Sequence, residues 1–486
     1  MENLNTLIIG YGRTGRAALD FLKKNNAKNS IAIYDEFLND GDINKLNQND
    51  DGVLFFNNNS AHGFLKNKID DIGATVISPG IQRNNHIVLQ LRRRRKHIYS
   101  EIEFAYKNLM QDYKHSKPRI LAITGTNGKT TATSMCSAAA SAAGIKAFTG
   151  GNFGIPFIEG IREKDCCNFI LEISSFQLEW IYEFNPDIAV LLNVQDDHLD
   201  RYENFDEYRL TKYKIFKNHT INDTAILNYE DYNAAIVKDI IGSLPVLFGF
   251  DENKCNIYYK DETIYFKLKE FYGIDDKISL KDFKDKRKFV IEDMMAASGA
   301  LLAFGIPLDA IEKSFKDYKL LKHRVEFIGN IDNINFYDDS KATNPAAVIS
   351  ALESVKSPVV LILGGKDKGF NYDILIEPVK KHVKACILIG ETADIIHKTL
   401  KGTVDMIPAS DMDDAVQKAY DAALQESNKS QANSGAAVGG GSVDFQCSVL
   451  LSPASSSFDM FKDYNERGEV FKKCFNKLRE TKSITL

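Results

Sequence analysis

The segment from Thr124 to Thr131 has the residue types of a phosphate-binding loop. It reads Thr-Gly-Thr-Asn-Gly-Lys-Thr-Thr, the apolar run Arg119–Thr124 leads into it, and a stretch rich in Ala and Ser that predicts a helix follows it. Backbone amides of such a loop bind phosphate oxygens, the Lys129 ammonium neutralises the β and γ phosphates, and the Thr130 hydroxyl can ligate Mg²⁺. Ile123 stands where the usual G-x-x-x-x-G-K-[ST] pattern has its first glycine. The predicted strand, loop and helix together still indicate a nucleotide site.

Two further apolar runs end in candidate metal ligands. Glu172 lies in Leu-Glu-Ile-Ser-Ser, and His198 lies in Asp-Asp-His-Leu-Asp. The carboxyl ends of neighbouring parallel strands meet at one edge of a sheet, where a phosphate-bound Mg²⁺ needs ligands. Either residue taken alone is compatible with a solvated turn, which is the commoner structure for an Asp-Asp-His segment. Their positions after strands beside the phosphate loop favour a metal site.

A glycine-rich segment near the N-terminus indicates a second ligand site. Gly10-Tyr11-Gly12-Arg13-Thr14-Gly15 follows the first apolar run, and Asp35 follows the second, twenty residues beyond Gly15. Glycines at this spacing let the backbone approach a phosphate, and the acid can bind ribose hydroxyls. The motif by itself fits a dinucleotide site or a tight turn equally well. Ser78-Pro79-Gly80, after a third apolar run, adds another loop at the same edge and favours a nucleotide-like ligand.

Alternating apolar runs and amphipathic stretches must position these loops. Strands are predicted at Thr6–Ile9, Ile31–Tyr34, Ala74–Ile77, Arg119–Thr124, Asn168–Ile173, Ile188–Val194, Val359–Leu363, Ala385–Ile389 and Val449–Leu451. The polar stretch 254–288 predicts antiparallel strands, and the Ser, Asn, Ala and Gly-rich run Gln425–Ser442 predicts a mobile loop. The βαβ rhythm indicates an α/β chain of three domains, at 1–110, 111–320 and 321–486.

Composition excludes several classes of protein. The 486 residues carry 61 basic and 66 acidic side chains, a net charge of −5, so nothing global favours a nucleic-acid partner. No apolar run approaches the roughly 18 residues that a membrane span requires, and a cytoplasmic protein is expected. Seven cysteines without a C-x-x-C pair disfavour disulfide and zinc frameworks. The basic run Arg92–Lys96 has no interleaved aromatic residues, and a solvated helix end is predicted there.

Seven sequence blocks occur in an order that resembles the Mur ligases. They are GTNGKTT, EISSFQLE, LNVQDDHLDRY, HRVEFIG, YDDSKATNP, LGGKDKG and LLSPASSSFDMFKDYNERGEVF, and the resemblance extends from Gly10 to Phe471. It implies three domains, each around a mainly parallel sheet: N-terminal Rossmann-like, central P-loop ATPase-type and C-terminal Rossmann-like. It also implies an ATP- and Mg²⁺-dependent ligase of cell-wall assembly that joins D-glutamate to UDP-N-acetylmuramoyl-L-alanine through an acyl phosphate. A monomer that binds neither nucleic acid nor membrane is expected.

The resemblance assigns roles to individual residues. Catalytic roles fall to Lys129, Glu172, His198, Lys212, His323 and Lys341, and ATP contacts to Gly125, Thr126, Asn127, Gly128, Lys129, Thr130, Thr131, Arg324 and Asp339. The UDP-sugar contacts are Gly12, Arg13, Thr14, Asp35, Glu36, Ser78, Gly80 and Asn152, and the D-glutamate contacts are Thr343, Lys368, Ser457 and Tyr464. The implied metal ligands are Thr130, Glu172, His198 and Lys212, the last as a carbamate.

One motif departs from the family pattern. Where the family has His-Asn-x-x-Asn before Ala-Ala, in contact with adenine, this chain has Phe289, Val290, Ile291, Glu292 and Asp293. Two other functions stay open: another amide ligase of the Mur or folylpolyglutamate type, and an NAD-dependent oxidoreductase built on Gly10 to Asp35. The oxidoreductase would leave the phosphate loop and the third domain without a function.

Overall fold

The computed structural model describes residues 4–25, 30–49, 52–112, 117–163, 166–197, 201–231, 241–356, 358–433 and 447–484. Within these ranges the strands form three separate sheets, of five, nine and six strands. None of the helices in the described ranges is both long and apolar enough to cross a bilayer.

The first sheet consists of parallel strands joined by helices. Its strands are β1 (Leu4–Ile9), β2 (Ser30–Tyr34), β3 (Val53–Phe56), β4 (Ala74–Ile77) and β5 (Ile98–Ser100). The helices are α1 (Arg13–Asn25), α2 (Asp40–Asn49), α3 (Asn58–Lys68), α4 (His86–Arg93) and α5 (Glu101–Asp112). The spatial order is β3-β2-β1-β4-β5. Because the order of connection reverses between β1 and β4, the loops after these strands border the crevice where such sheets bind ligands.

The second sheet is parallel except at one end. Its strands are β6 (Arg119–Thr124), β7 (Phe148–Gly151), β8 (Asn168–Glu172), β9 (Ile188–Leu191), β10 (Thr224–Asn228), β11 (Pro245–Gly249), β12 (Ile257–Lys260), β13 (Thr263–Leu268) and β14 (Ile274–Ser279). The order is β14-β13-β12-β11-β10-β9-β6-β8-β7, and β13 is antiparallel to both of its neighbours. Its helices are α6 (Lys129–Ala142), α7 (Phe157–Gly160), α8 (Ser175–Leu178), α9 (Phe205–Tyr213), α10 (Lys269–Tyr272), α11 (Lys288–Ala303) and α12 (Leu308–Asp317).

The third sheet has one antiparallel edge strand. Its strands are β15 (Glu326–Ile331), β16 (Ile334–Asp338), β17 (Val359–Gly364), β18 (Val383–Ile389), β19 (Asp405–Pro408) and β20 (Cys447–Leu451), in the order β15-β16-β20-β17-β18-β19. The helices are α13 (Pro345–Ser354), α14 (Ile376–His382), α15 (Ala393–Thr399), α16 (Met412–Asn433) and α17 (Tyr464–Ile484). Leu361 and Leu363 of β17 pack in one core cluster and Val360 and Ile362 in another, so both faces of this sheet are buried.

The chain divides into two compact units. The first comprises residues 1–194, 206–286 and 290–318 and contains the first two sheets; the second comprises 195–205, 287–289 and 319–486 and contains the third sheet. The α/β class with three mainly parallel sheets is confirmed. The three domain boundaries at 1–110, 111–320 and 321–486 stay a prediction.

Three local predictions can be compared with the structure. The antiparallel strands within 254–288 and the exposed helix end at Arg92 are confirmed. The loop predicted from Gln425 is wrong as far as Asn433, because α16 continues through these residues. Small and polar side chains suggested a loop there, whereas Ala, Gln and Lys also favour a helix once its preceding turns are packed. Residues 434–442 lie outside the described ranges.

Candidate functional site

The predicted phosphate loop connects a buried strand to a helix. Strand β6 lies between β8 and β9, and residues 125–128 lead from its carboxyl end into α6. Gly128 has a φ of +82°, and a Cβ atom there would overlap Oδ1 of Asp293, a buried residue on α11. Only glycine therefore fits this turn without strain. The loop places the N-terminus of α6 beside the carboxyl end of β6. The backbone N–H groups of a helix N-terminus can bind phosphate.

Two lysine side chains converge on this loop. The Nζ of Lys129 donates to the carbonyl oxygens of Gly125 and Thr126, both at 2.7 Å. The Nζ of Lys212, on α9, donates to the same Gly125 oxygen at 2.8 Å and lies 4.7 Å from the ring centroid of Tyr208. Lys212 is only 1% exposed. Because the Lys129 ammonium reaches the loop, an anion bound there would meet positive charge.

Glu172, at the carboxyl end of β8, presents a carboxylate with spare ligand capacity. Its Oε1 accepts a hydrogen bond of 2.7 Å from Nδ2 of Asn152, and the side chain is 2% exposed. Its Oε2 is buried and has no hydrogen-bond partner among the described residues. A buried carboxylate oxygen in this state suits a hard divalent cation such as Mg²⁺. Thr130 is also buried and is the second residue of α6. The other predicted ligand, His198, lies outside the described residues.

The first sheet brings three of its predicted ligand loops together. The Asp35 carboxylate accepts hydrogen bonds from the backbone N–H of Tyr11, at 2.6 Å, and of Phe37, at 2.9 Å. Oγ of Ser78 donates to the Gly10 carbonyl oxygen at 3.0 Å. Asp35 therefore joins the loops after β1 and β2, and Ser78 joins the loops after β1 and β4.

The remaining residues predicted to bind the UDP-sugar differ in their placement. Gly12, Glu36 and Gly80 are exposed on those three loops of the first sheet. At the start of α1, Arg13 is exposed and Thr14 is half-buried. Asn152 lies instead after β7 of the second sheet, where it bonds to Glu172 through both its side chain and its backbone N–H.

In the third sheet, the loop after β16 carries several predicted residues. Asp339 is buried, accepts hydrogen bonds from Oγ of Ser452 (2.7 Å) and the N–H of Val325 (3.2 Å), and has its pKa raised to about 7, chiefly by burial. The neighbouring Arg324 opposes that rise electrostatically. Lys341 lies with its Nζ 3.7 Å from the ring centroid of Tyr464. The segment 323–325 thus lies against Asp339 and Lys341, and the predicted contact of Arg324, Asp339 and Lys341 with ATP stays a prediction.

His323, predicted to be catalytic, is held in a buried polar cluster. Its Nδ1 lies 2.7 Å from Oδ2 of Asp338, and the side chain is almost fully buried. Ligand atoms of His323, Asp338 and Glu326 are close enough to bind a metal, but the Lys472 ammonium lies 2.8 Å from Glu326 and 3.6 Å from Asp338. Since this ammonium already neutralises the carboxylates, the cluster is an ion-pair network that orients His323.

Of the four residues predicted to hold D-glutamate, three lie in loops of the third sheet, and the fourth, Tyr464, begins α17. Thr343 is half-buried after β16, and Ser457 is buried after β20. Lys368, after β17, lies 3.9 Å from a carboxylate oxygen of Asp197, which also accepts a hydrogen bond of 3.3 Å from Asn344. Asp197 precedes the predicted metal ligand His198 directly in the sequence.

Two residues near these sites were not assigned roles from the sequence. Arg467 is 1% exposed and donates to Ser340 and to the carbonyl oxygens of Ser455 and Ser456, which joins the loops after β16 and β20. Its only sequence signal was the Arg-Gly pair in the last motif. Asp293 was noted as a departure from the family pattern, and its contact with the phosphate loop follows from the packing of α11.

Comparison with known proteins supports one family. Residues 123–299 match the Mur ligase middle domain, and residues 323–429 match the Mur ligase glutamate ligase domain. UDP-N-acetylmuramoylalanine–D-glutamate ligases from Thermoanaerobacter pseudethanolicus and Clostridioides difficile are each 34% identical to this chain, over 99% of it and 99% and 100% of their own lengths. The corresponding ligase from Caldanaerobacter subterraneus is 37% identical over 86% of both chains.

Solved structures agree at the level of the fold. The UDP-N-acetylmuramate-alanine ligase from Thermotoga maritima superimposes with a TM-score of 0.55 over 98% of this chain and 99% of its own, at 15% identity. Because the sequence relatives match over nearly their whole length and both domain types are present, this chain belongs to the Mur ligase family and is a ligase.

Proposed function

We propose that this chain joins D-glutamate to UDP-N-acetylmuramoyl-L-alanine with consumption of ATP. The substrate carboxylate attacks the γ-phosphate and ADP leaves; the amine of D-glutamate then attacks the acyl carbon and phosphate leaves. The observation that carries the proposal is that relatives aligned over 99% of this chain bear the name of this D-glutamate ligase. A neighbouring fold, a MurF ligase from Thermotoga maritima, was solved in complex with ADP, which supports ATP as the phosphoryl donor.

The phosphate loop would bind the triphosphate of ATP. In the structure, Lys129 and Lys212 donate to the loop's own carbonyl oxygens. We expect the Lys129 ammonium to exchange these carbonyls for β- and γ-phosphate oxygens, which are charged and hence stronger acceptors. In-line phosphoryl transfer requires mainly positioning and charge neutralisation, and the amides of Gly125 to Thr131 with Lys129 offer both. Lys341, Arg324 and Asp339 would add the contacts that come from the third sheet.

The residues present also fit Mg²⁺. Glu172 offers the buried Oε2 atom described above, and Thr130 offers a hydroxyl at the start of α6. His198 and Lys212, the latter as a carbamate, complete the proposed set. When bound, Mg²⁺ would neutralise the phosphate charge that develops during transfer. Asn152 holds the other Glu172 oxygen at 2.7 Å and so orients the carboxylate.

The two other substrates would occupy the first and third sheets. The loops joined by Asp35 and Ser78 would bind the UDP portion, with Gly12, Arg13, Thr14, Glu36 and Gly80. Thr343, Lys368 and Ser457 would bind D-glutamate, whose two carboxylates need cationic and hydroxyl partners. Since ATP is a cytoplasmic metabolite, the proposed reaction takes place in the cytoplasm.

An amino-acid screen tests the proposal directly. Phosphate release is measured with the purified chain, ATP, Mg²⁺ and UDP-N-acetylmuramoyl-L-alanine, in the presence of D-glutamate, L-glutamate, L-alanine or a diamino acid. We expect release with D-glutamate only, because the pocket must place one amine in line with the acyl carbon. Comparable rates with L-glutamate, or faster release with another amino acid, would overturn the substrate assignment. Rapid hydrolysis of ATP alone would overturn the three-substrate mechanism.

A further inference from the structure

The side chains of Lys341 and Tyr464 form a close cation–π pair. The ammonium nitrogen lies 3.7 Å from the ring centroid, well inside the distance of about 6 Å at which such attraction is significant. Lys341 follows β16, whereas Tyr464 begins α17. Both side chains are half-buried, so water screens their attraction only in part. The ring therefore holds a long, flexible cation in one place.

Backbone contacts fix the two partners relative to each other. Oγ of Ser340, the residue before Lys341, donates to the carbonyl oxygen of Tyr464 at 2.8 Å. The buried guanidinium of Arg467, one turn further along α17, donates to Oγ of Ser340 at 3.0 Å and to its carbonyl oxygen at 2.8 Å. The backbone N–H of Lys341 also donates to the carbonyl oxygen of His323 at 3.1 Å. These hydrogen bonds hold the backbone at Lys341 and at Tyr464. The fold therefore fixes the positions from which the two side chains meet.

We infer that Tyr464 is a positioning residue for Lys341, and that its ring keeps the ammonium ready to bind a phosphate oxygen of the nucleotide. This inference rests on the proposed function, in which Lys341 contacts ATP. A free lysine side chain loses much rotamer entropy when it is immobilised, and a side chain already held in place loses less on binding. The aromatic face performs this role, so the phenol hydroxyl is not required. Tyr464 then acts through Lys341 rather than by touching D-glutamate.

A double-mutant cycle measures this coupling. The dissociation constant of ATP in the presence of Mg²⁺ is determined by calorimetry for the wild type, Tyr464→Leu, Lys341→Met and the double variant. We expect Tyr464→Leu to weaken ATP binding by about 3- to 30-fold, the range that corresponds to the rotamer entropy an unrestrained lysine side chain loses on binding. In the Lys341→Met background the same change should alter the affinity by less than about twofold, since the ring has no ammonium to hold. Tyr464→Phe, which keeps the ring, should restore wild-type affinity.

Phe327→Leu provides a matched control. It removes an exposed ring from β15 of the same sheet, where Phe327 contacts the ring of Tyr337, and it should leave ATP affinity unchanged. Equal effects of Tyr464→Leu with and without Lys341 would overturn the inference. So would a rise in KM for D-glutamate at unchanged ATP affinity, because Tyr464 would then be a direct substrate contact.

A measurement on the unmutated protein guards against variants that fail to fold. In protein labelled with ¹³C-lysine, the ε-CH₂ signal of Lys341, assigned by its loss in Lys341→Arg, should show the upfield shift of a group above an aromatic ring. An unshifted signal would overturn the inference without any change at Tyr464. Absence of D-glutamate-dependent turnover in the wild type would instead count against the proposed function, and the affinity cycle would still decide the role of Tyr464.

Discussion

Replacing Glu101 by Gln should change how the stability of the first unit depends on pH. Glu101 begins α5 and is 1% exposed. One carboxylate oxygen accepts a hydrogen bond of 2.6 Å from the backbone N–H of Ile158, and the other has no hydrogen-bond partner among the described residues. Burial raises the pKa of this carboxyl from 4.5 to about 7. The folded protein therefore favours the protonated acid, which Gln resembles in shape and neutrality.

The sign of the effect follows from this raised pKa. A carboxyl whose pKa is higher in the folded state binds its proton more tightly there, so its contribution to stability is complete below about pH 4.5 and is lost as the pH rises through 7. The difference between these two pKa values corresponds to about 3 kcal/mol. Between pH 5 and 8.5 we expect the free energy of unfolding of Glu101→Gln to rise by about 2 to 3 kcal/mol relative to the wild type.

Urea unfolding monitored by tryptophan fluorescence can measure this difference. The single tryptophan, Trp180, packs against the core of the first sheet, and its carbonyl oxygen accepts a hydrogen bond from the N–H of Ser100, beside Glu101. The new amide group can also change the free energy of unfolding by an amount that does not depend on pH. This amount cancels when the difference between variant and wild type at one pH is subtracted from that at another. Glu270→Gln, which removes an exposed charge from α10, serves as the control. If the free energies of unfolding of the wild type and of Glu101→Gln changed in parallel with pH, the raised pKa of Glu101 would be refuted.

Three further predictions concern the phosphate loop. Gly128→Ala should weaken ATP binding by about tenfold or more, equivalent to 1.4 kcal/mol, because the left-handed turn and the overlap with Asp293 both oppose a Cβ atom; unchanged affinity by calorimetry would contradict this. Lys129→Ala should lower kcat by about 10² or more in a protein whose circular dichroism is unchanged, and near-normal turnover would remove the phosphate role. Lys212→Ala should lose most activity and regain part of it with short carboxylates, whereas Lys214→Ala should do neither. A ¹³C carbamate signal after labelling with bicarbonate should accompany Lys212, and its absence would show that the lysine was assigned wrongly.

Family membership and the α/β class followed from short stretches of sequence, and both are confirmed. Strand β6, the loop after it and α6 are contiguous, so their apolar run, glycines and Gly-Lys-Thr triplet carry all the local information the motif needs. The strand predicted at Ile188–Val194 ends at Leu191, although the N–H of Leu192 and the carbonyl oxygen of Asn193 still bond to Thr124 and Thr126. Strand ends depend on such neighbours and are therefore harder to predict than strand centres.

The roles assigned to the site residues stay predictions. The structure shows the hydrogen-bond partners of many of these residues. The convergence of Lys212 on Gly125 joins residues 87 positions apart, and the bonds from Arg467 to Ser340 join residues 127 positions apart. Asn152, predicted as a UDP-sugar contact, bonds to Glu172, 20 positions away, and its predicted role stays a prediction. No local pattern encodes these pairs, because each depends on how separate elements pack in the folded chain.

Residue types at fixed short spacings were sufficient to predict the α/β class, the phosphate loop and the family. The tertiary structure alone decided which polar groups were buried and with which partners. Glu103, for example, is fully buried and accepts hydrogen bonds from the backbone N–H groups of Tyr182, Glu183 and Phe184, whereas Glu101, two residues earlier, accepts one from Ile158 and has an oxygen with no partner among the described residues. Two glutamates of one helix differ in this way because desolvation and hydrogen bonding are set by the distant segments packed against each of them.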